Sequence, residues 1–222
     1  MSSWEWNLAF AMPLIIVCGL PARGKTTRSL ELQSALTLRG HRVRVVNDES
    51  LGIVKRTAYA DTTEEEKKAR GALLSGVERY LSAEDVVIAD GLNYIKGFRY
   101  QLYCMAKALA TPHAVVEVAA DRARALEWNR SRGPTADAAA DAKDEPGCYS
   151  DKTMDELEMR YEPPNSMTRW DKPLFVVHTD DALPVDAIAA ALFGGAAAKV
   201  TPNLATIPVK TRKNFYFIYV VY

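Results

Sequence analysis

The chain has 222 residues, 48% of them apolar, enough to bury the core of one large domain or of one domain with an appendage. Its 28 basic and 28 acidic side chains cancel, so no global positive field attracts nucleic acid, and any such contact needs a local patch. Cys18, Cys104 and Cys148 are odd in number, widely separated and without metal-ligand spacing, as expected of structural thiols in a reducing, intracellular protein.

In chain order, the apolar run 8–17 is shorter than the roughly 20 residues a bilayer needs and contains Pro13. Its upstream flank carries Glu5 and no Lys or Arg, unlike a secretory leader, so no membrane partner is expected and the location is cytoplasm, nucleus or both. Leu14 to Cys18 is a continuous apolar run closed by Gly19, which suits a strand buried on both faces of a parallel sheet. A helix is expected from Lys25 to Arg39, with Leu30, Ala35 and Leu38 near helical spacing and Gly40 as its stop. Residues 43–46 form a second strand that delivers Asn47-Asp48-Glu49-Ser50 at its C-terminal end.

Thr62 or Thr63 caps a helix reaching Leu81, with acidic residues in its first turn and Gly71 and Gly76 as places where it could break. Residues 85–90 are a third strand ending in the carboxylate of Asp90. A helix over about 97–110, a strand over 113–118 and an arginine-rich helix over 121–130 follow. Residues 132–150 lack apolar periodicity and are expected to be a mobile insertion. A short helix over 153–161, a strand over 174–178 and an alanine-rich helix over 184–192 complete the pattern.

Five strands alternating with helices argue for a doubly wound, mainly parallel α/β sheet. The expected division is an N-terminal extension over 1–11, one domain over 12–193 and an atypical tail over 194–222 that ends in the strand-like octet 215–222. In such sheets ligands bind beyond the carboxyl ends of the strands, where Gly19, Asp48 and Asp90 all fall.

Gly19-Leu20-Pro21-Ala22-Arg23-Gly24-Lys25-Thr26, followed by Thr27, matches the P-loop (Walker A) spacing in full and lies between a buried strand and a helix, as the mechanism requires. Its glycines let backbone N–H groups turn inward around phosphates, and the helix adds its positive N-terminal end. Lys25 is expected to reach the β- and γ-phosphates of ATP, and Thr26 to offer its hydroxyl to Mg²⁺. Asp90 fits the second acidic element that holds Mg²⁺; an Asp that merely caps a turn is the alternative.

Asp48 would face the γ-phosphate from the side opposite the loop, as a general base for the attacking group, or else close an Asx turn. Charge developing on the γ-phosphoryl calls for cations, and Arg130 and Arg132, next to the insertion, are the best placed of an arginine series that includes Arg122 and Arg124. Between Asn93 and Tyr103, aromatic and basic residues interleave: Tyr94, Lys96, Phe98, Arg99, Tyr100 and Tyr103. They can stack on bases and pair with phosphates, or the aromatics pack a helix on the sheet while Lys96 and Arg99 are solvated.

Taken together, residues 14–28, Asn47-Asp48-Glu49-Ser50-Leu51-Gly52, the stretch Asp90 to Cys104 and Arg160-Tyr-Glu-Pro-Pro-Asn165 closely resemble the killer-toxin-insensitivity ATPase family that accompanies the Elongator complex. Trp128-Asn129 and Arg169-Trp170-Asp171-Lys-Pro-Leu-Phe175 extend the resemblance to about residues 12–180. It implies a nucleotide hydrolase that supports modification of the tRNA wobble uridine, with tRNA and Elongator as partners, and kinship with the kinase that phosphorylates seryl-tRNA on the selenocysteine pathway. It carries nucleotide binding onto Gly19 to Thr26, metal onto Thr26 and Asp90, and the attacking group onto Asp48.

Members of that family are similar in having a helical, tRNA-associated C-terminal domain, which is expected to be missing here, and in starting near Met12. The expected function is a Mg-ATP hydrolase, tRNA-stimulated, acting as a regulatory factor of Elongator. A kinase acting on an RNA or small-molecule hydroxyl and a nucleotide-gated scaffold without turnover are the alternatives. ATP is preferred over GTP on the resemblance and on the lack of an Asn-Lys-x-Asp motif.

Overall fold

The structure, a computed structural model, describes residues 12–59, 63–81, 84–132 and 149–194. The expected extension over 1–11, nearly all of the expected mobile insertion, Cys148 and the tail from 195 onward, with its C-terminal octet, lie outside the described residues. Five strands, β1 (Leu14–Cys18), β2 (Val43–Asn47), β3 (Val86–Asp90), β4 (His113–Ala119) and β5 (Leu174–His178), form one sheet in the order β2-β3-β1-β4-β5. All four pairings are parallel, so the expected doubly wound α/β architecture is what the chain adopts.

Seven helices are described: α1 (Lys25–Leu38), α2 (Lys55–Ala58), α3 (Thr63–Tyr80), α4 (Lys96–Ala108), α5 (Arg122–Arg130), α6 (Asp151–Met159) and α7 (Val185–Phe193). Alternate residues of β1 divide the core between the two faces of the sheet. Leu14 and Ile16 pack with Leu73 and Val77 of α3 and Leu102 of α4. Ile15 and Val17 pack with Leu32 and Leu36 of α1 and Ile188 of α7. Both faces are covered, which is why β1 and β3 read as unbroken apolar runs.

The apolar face of α1 differs from the expected one: Leu30 and Leu38 are 49% and 89% exposed, whereas Leu32 and Leu36 are buried. The P-loop sets this phase. Lys25 must point into the space beyond β1, and residues four, seven and eleven further on, Ser29, Leu32 and Leu36, share its stripe and are buried with it. Helix α3 runs unbroken through Gly71 and Gly76. A Cβ at Gly76 would stand 2.8 Å from Val46 Cγ1 and 3.1 Å from Leu51 Cδ2, so that glycine allows close approach of α3 to β2 and marks no break.

Helix α6 starts two residues earlier than expected because the Ser150 hydroxyl accepts from the Thr153 amide, satisfying one of the free N–H groups of the first turn. The four-residue α2 was not expected at all. Among the described residues no helix is long and apolar enough to cross a membrane. Cys18 is buried and Cys104 half-buried, both free, and burial pushes the Cys18 thiol up to about 12.

Candidate functional site

The register of the sheet assembles the site. Asp90 pairs with Val17 of β1 on one side and with Asn47 of β2 on the other. One further residue along β2 lies Asp48, and two further along β1 lies Gly19. Three strand ends therefore bring the loop and both carboxylates to one edge of the sheet.

Gly19 leaves β1 at φ 141°, a conformation foreign to side-chain-bearing residues, and a Cβ there would sit 2.5 Å from the Val118 carbonyl oxygen. Its amide donates to Leu92 O at 3.1 Å, tying the loop to the end of β3. Leu20 and Ala22 are buried beneath the loop and Pro21 is buried with them. Ala22 and Gly24 take left-handed conformations, φ 53° and 85°, which aim the loop before α1 begins. Arg23 places a guanidinium nitrogen 3.7 Å from Glu158 of α6.

Gly24, Lys25, Thr26, Asp48, Asp90 and Arg132 line one polar cavity, which Arg23 and Thr27 also reach. The Lys25 ammonium donates to Leu20 O at 2.6 Å. Burial lowers its pKa to about 8, Asp90 pulls it back up, Lys55 lowers it further and Asp48 raises it. Asp90 is 3% exposed, and burial raises its pKa while the Lys25 charge and a Thr26 hydroxyl hydrogen bond hold it down. Asp90 Oδ2 is buried without a hydrogen-bond partner among the described residues.

Asp48 is 4% exposed, and its pKa too is raised by burial. The nearby Lys55 charge opposes that most strongly, followed by the Tyr59 hydroxyl, which donates to Asp48 Oδ1 at 3.2 Å. The backbone behind it is also held, since the Ile53 amide donates to Asp48 O at 2.8 Å.

The two arginines read from the sequence part company. Arg132 lines the cavity shared by Lys25, Asp48 and Asp90. Arg130 does not: it is exposed and pairs with Asp151 at the start of α6, 3.5 Å away. Arg130 is the last residue of α5, whereas Arg132 lies in the turn beyond it.

The stretch from Asn93 to Tyr103 mostly packs. Tyr94, Phe98, Arg99 and Tyr103 are buried, Arg99 completely, and of the aromatic and basic residues only Lys96 and Tyr100 reach the surface, where both meet Trp170. Asn93, left-handed at φ 45°, donates to Val17 O at 2.7 Å and Ala89 O at 3.0 Å, bracing β1 against β3 at the root of the loop.

Three contributors lay beyond the sequence reading. Lys55 and Tyr149 line the same polar cavity. A second depression of about 420 Å³, within the range of small-molecule sites, opens beside the loop between Val118, Trp128 and Thr179, with Thr27, Arg28 and Arg132 at its edges. Arg28 builds one wall of it by donating to the carbonyls of Thr179 at 2.9 Å and Asp181 at 2.6 Å, which holds the β5–α7 connection against α1. The one available signal for this depression was Trp128, a large aromatic beside the arginine series.

A family model described as chromatin associated protein KTI12 matches residues 12–219. A KTI12 homologue of Danio rerio is 41% identical over 206 residues, spanning 92% of this chain and 70% of that protein. The kti12 protein of Schizosaccharomyces pombe is 45% identical over 218 residues, spanning 94% of this chain and 71% of that one. The crystal structure of Chaetomium thermophilum Kti12 in complex with ADP-AlF3 superposes with a TM-score of 0.70 at 41% identity, covering 81% of this chain and 99% of the other. A Mycobacterium tuberculosis APS kinase, solved with AMPPNP and APS, shares the fold at 12% identity and a TM-score of 0.53.

Proposed function

The chain belongs to the KTI12 family, and from that premise we propose that it binds Mg-ATP at the P-loop and hydrolyses it with Asp48 as general base. The observation that carries this reading is the convergence of Lys25, Asp48 and Asp90 on one buried cavity across three adjacent strand ends. A relative 41% identical in sequence, crystallised with ADP-AlF3, supports nucleotide binding at the matching fold position.

The loop amides of residues 22–26 and the Lys25 ammonium receive the β- and γ-phosphates. Arg132 stands over the same cavity, where a positive charge stabilises the γ-phosphoryl as it separates from ADP. The adenine of ATP occupies the depression of Val118, Trp128 and Thr179, which adjoins the loop through Gly24 and Thr27. Asp48 takes the proton of the attacking oxygen. Its carboxylate is oriented by the Tyr59 hydroxyl, and the Lys55 charge favours its ionised form.

Mg²⁺ fits what the chain offers: the Thr26 hydroxyl and the unpartnered Asp90 Oδ2 are hard oxygen donors, and no group of three or more ligating side chains exists among the described residues. Two protein oxygens completed by waters and phosphates suit Mg²⁺ better than a cation that needs a protein cage. When bound, the ion neutralises charge on the phosphate oxygens. The nucleotide chemistry is assigned to one domain over 12–193.

In the cell, we take this site to drive a chromatin-associated, nuclear and cytoplasmic factor that works with Elongator on tRNA wobble-uridine modification, with tRNA stimulating turnover. The family description and the resemblance of the motifs support this wider role. The test is phosphate release from γ-labelled Mg-ATP by the full chain, with and without tRNA. Label is expected as free phosphate, with more released when tRNA is present. Label on the RNA would make the chain a kinase, and ATP bound without release would make it a nucleotide-gated scaffold.

A further inference from the structure

The phosphate cavity differs on its two sides. Toward the proposed adenine site it adjoins the wide depression beside Trp128, and on the side of Asp48 one aromatic ring, that of Tyr149, lines it. Tyr149, 5% exposed, lines the cavity, and Tyr59, 7% exposed, backs it with ring centroids 6.1 Å apart and planes tilted by 46°. Both rings belong to the cluster over the strand ends that includes Leu20, Ala22, Met154 and Leu157.

Neither ring is loosely held. The Tyr59 hydroxyl is bound to Asp48, at the end of a helix whose Ala58 amide donates to Val54 O at 2.9 Å. Tyr149 is clamped through its backbone by the side chain of Asn129, which is 1% exposed. Asn129 Nδ2 donates to Tyr149 O at 2.6 Å, and Asn129 Oδ1 accepts from the Tyr149 amide at 2.9 Å. Both hydrogen bonds of that amide side chain go to one residue, so the tyrosine backbone is fixed from two directions.

A nucleophile attacks the γ-phosphoryl in line with the departing ADP, so the group that walls the side beyond the base decides what can attack. We propose that Tyr149, backed by Tyr59, is the specificity-determining wall of this site: it leaves room for water beside Asp48 and excludes alcohol acceptors.

The inference rests on hydrolysis of ATP at this site. In that reaction the water oxygen bonds to the γ-phosphorus as the bond to the β,γ-bridging oxygen breaks. ADP departs with the electron pair, and the water proton passes to the Asp48 carboxylate. An alcohol would follow the same course, with its own proton going to Asp48 and a phosphate monoester replacing inorganic phosphate. The two outcomes need the same groups, so space alone separates them.

The experiment uses the full chain with γ-labelled Mg-ATP and glycerol at molar concentration, and divides the label between inorganic phosphate and glycerol phosphate. The native chain is expected to release inorganic phosphate only. Tyr149→Ala should raise the share of glycerol phosphate to at least about tenfold above the detection limit that bounds the native chain, a change of roughly 1.4 kcal/mol or more in selectivity. Tyr149→Phe, which keeps the ring, should leave the partition with water, and Tyr149→Leu serves if the alanine variant does not fold. Glycerol phosphate from the native chain overturns the proposal, as does a folded, hydrolysing Tyr149→Ala or Tyr149→Leu chain that yields none. Absence of any phosphate release by the native chain would instead remove the hydrolase reading on which the wall depends.

Discussion

Arg99 and Asp171 are as deeply buried as Lys25, Asp48 and Asp90, yet the two sets of charges are treated differently. Arg99 Nε meets Asp171 Oδ1 at 2.8 Å, and a second guanidinium nitrogen meets Asn93 O at 3.0 Å. Asp171 Oδ2 accepts the Asn165 amide at 3.0 Å and the Thr168 hydroxyl at 3.2 Å. That pair is closed on all sides and ties the start of α4 to the segment before β5. In the phosphate cavity Lys25 donates to a single carbonyl of its own loop, and Asp90 Oδ2 has no partner among the described residues. Burial of charge therefore does not by itself mark function. What sets the cavity apart is open capacity on a buried charge that lines it, Asp90 Oδ2, which costs stability unless a ligand completes it.

Breaking the closed pair should have the largest effect on the fold. Arg99→Leu leaves the Asp171 carboxylate buried and uncompensated, which costs about 3–5 kcal/mol in chemical denaturation, a large part of a domain's total stability. If the variant unfolds at the native denaturant concentration, the pair does not hold the fold as described. Lys25→Ala sharpens the contrast. It should leave a cooperative unfolding transition but weaken ATP binding about a hundredfold, roughly 2.7 kcal/mol, by calorimetry. Normal affinity would mean that the cavity is not the phosphate site.

A smaller effect belongs to the opposite edge of the sheet. His113 begins β4, with Nε2 3.2 Å from Trp170 O and its ring 4.9 Å from Tyr103. Burial lowers its pKa from 6.5 to about 4, the Trp170 carbonyl raises it, Lys107 lowers it and Asp171 raises it. As pH falls, the unfolded chain takes up this proton first, so the stability is full above pH 6.5 and is lost progressively toward pH 4. At the lower end the loss is of the order of 3 kcal/mol. His113→Gln should flatten that part of the stability profile while ATP affinity stays the same. A profile as steep as the native one would assign the proton uptake to another group.

The strands and the loop were legible because each is written in contiguous residues: an apolar run, a glycine spacing, a carboxylate at a strand end. Asp48 and Asp90 came from that same local grammar, and the sheet register sets them on adjacent strands. What escaped depends on contacts between distant segments. Helix α2 is too short to carry a period, so nothing announced that Lys55 and Tyr59 would flank Asp48. The exposed Leu30 and Leu38 misled the reading of α1, since its phase is set by where Lys25 must point and not by how many leucines lie on a face. Arg99 looked like a surface cation because its partner lies 72 residues away. Trp128 and Thr179 meet only when β4 and β5 pair, so no sequence spacing could reveal the depression between them.

The proposed hydrolysis depends on Asp48 as a buried base beside a bound γ-phosphate, and its most direct test is Asp48→Asn. The near-isosteric amide keeps the Tyr59 contact and the shape of the cavity but cannot accept the proton. ATP affinity should stay within a few-fold of native while phosphate release falls by about two to four orders of magnitude. Release at the native rate from a chain that binds ATP normally would contradict the account.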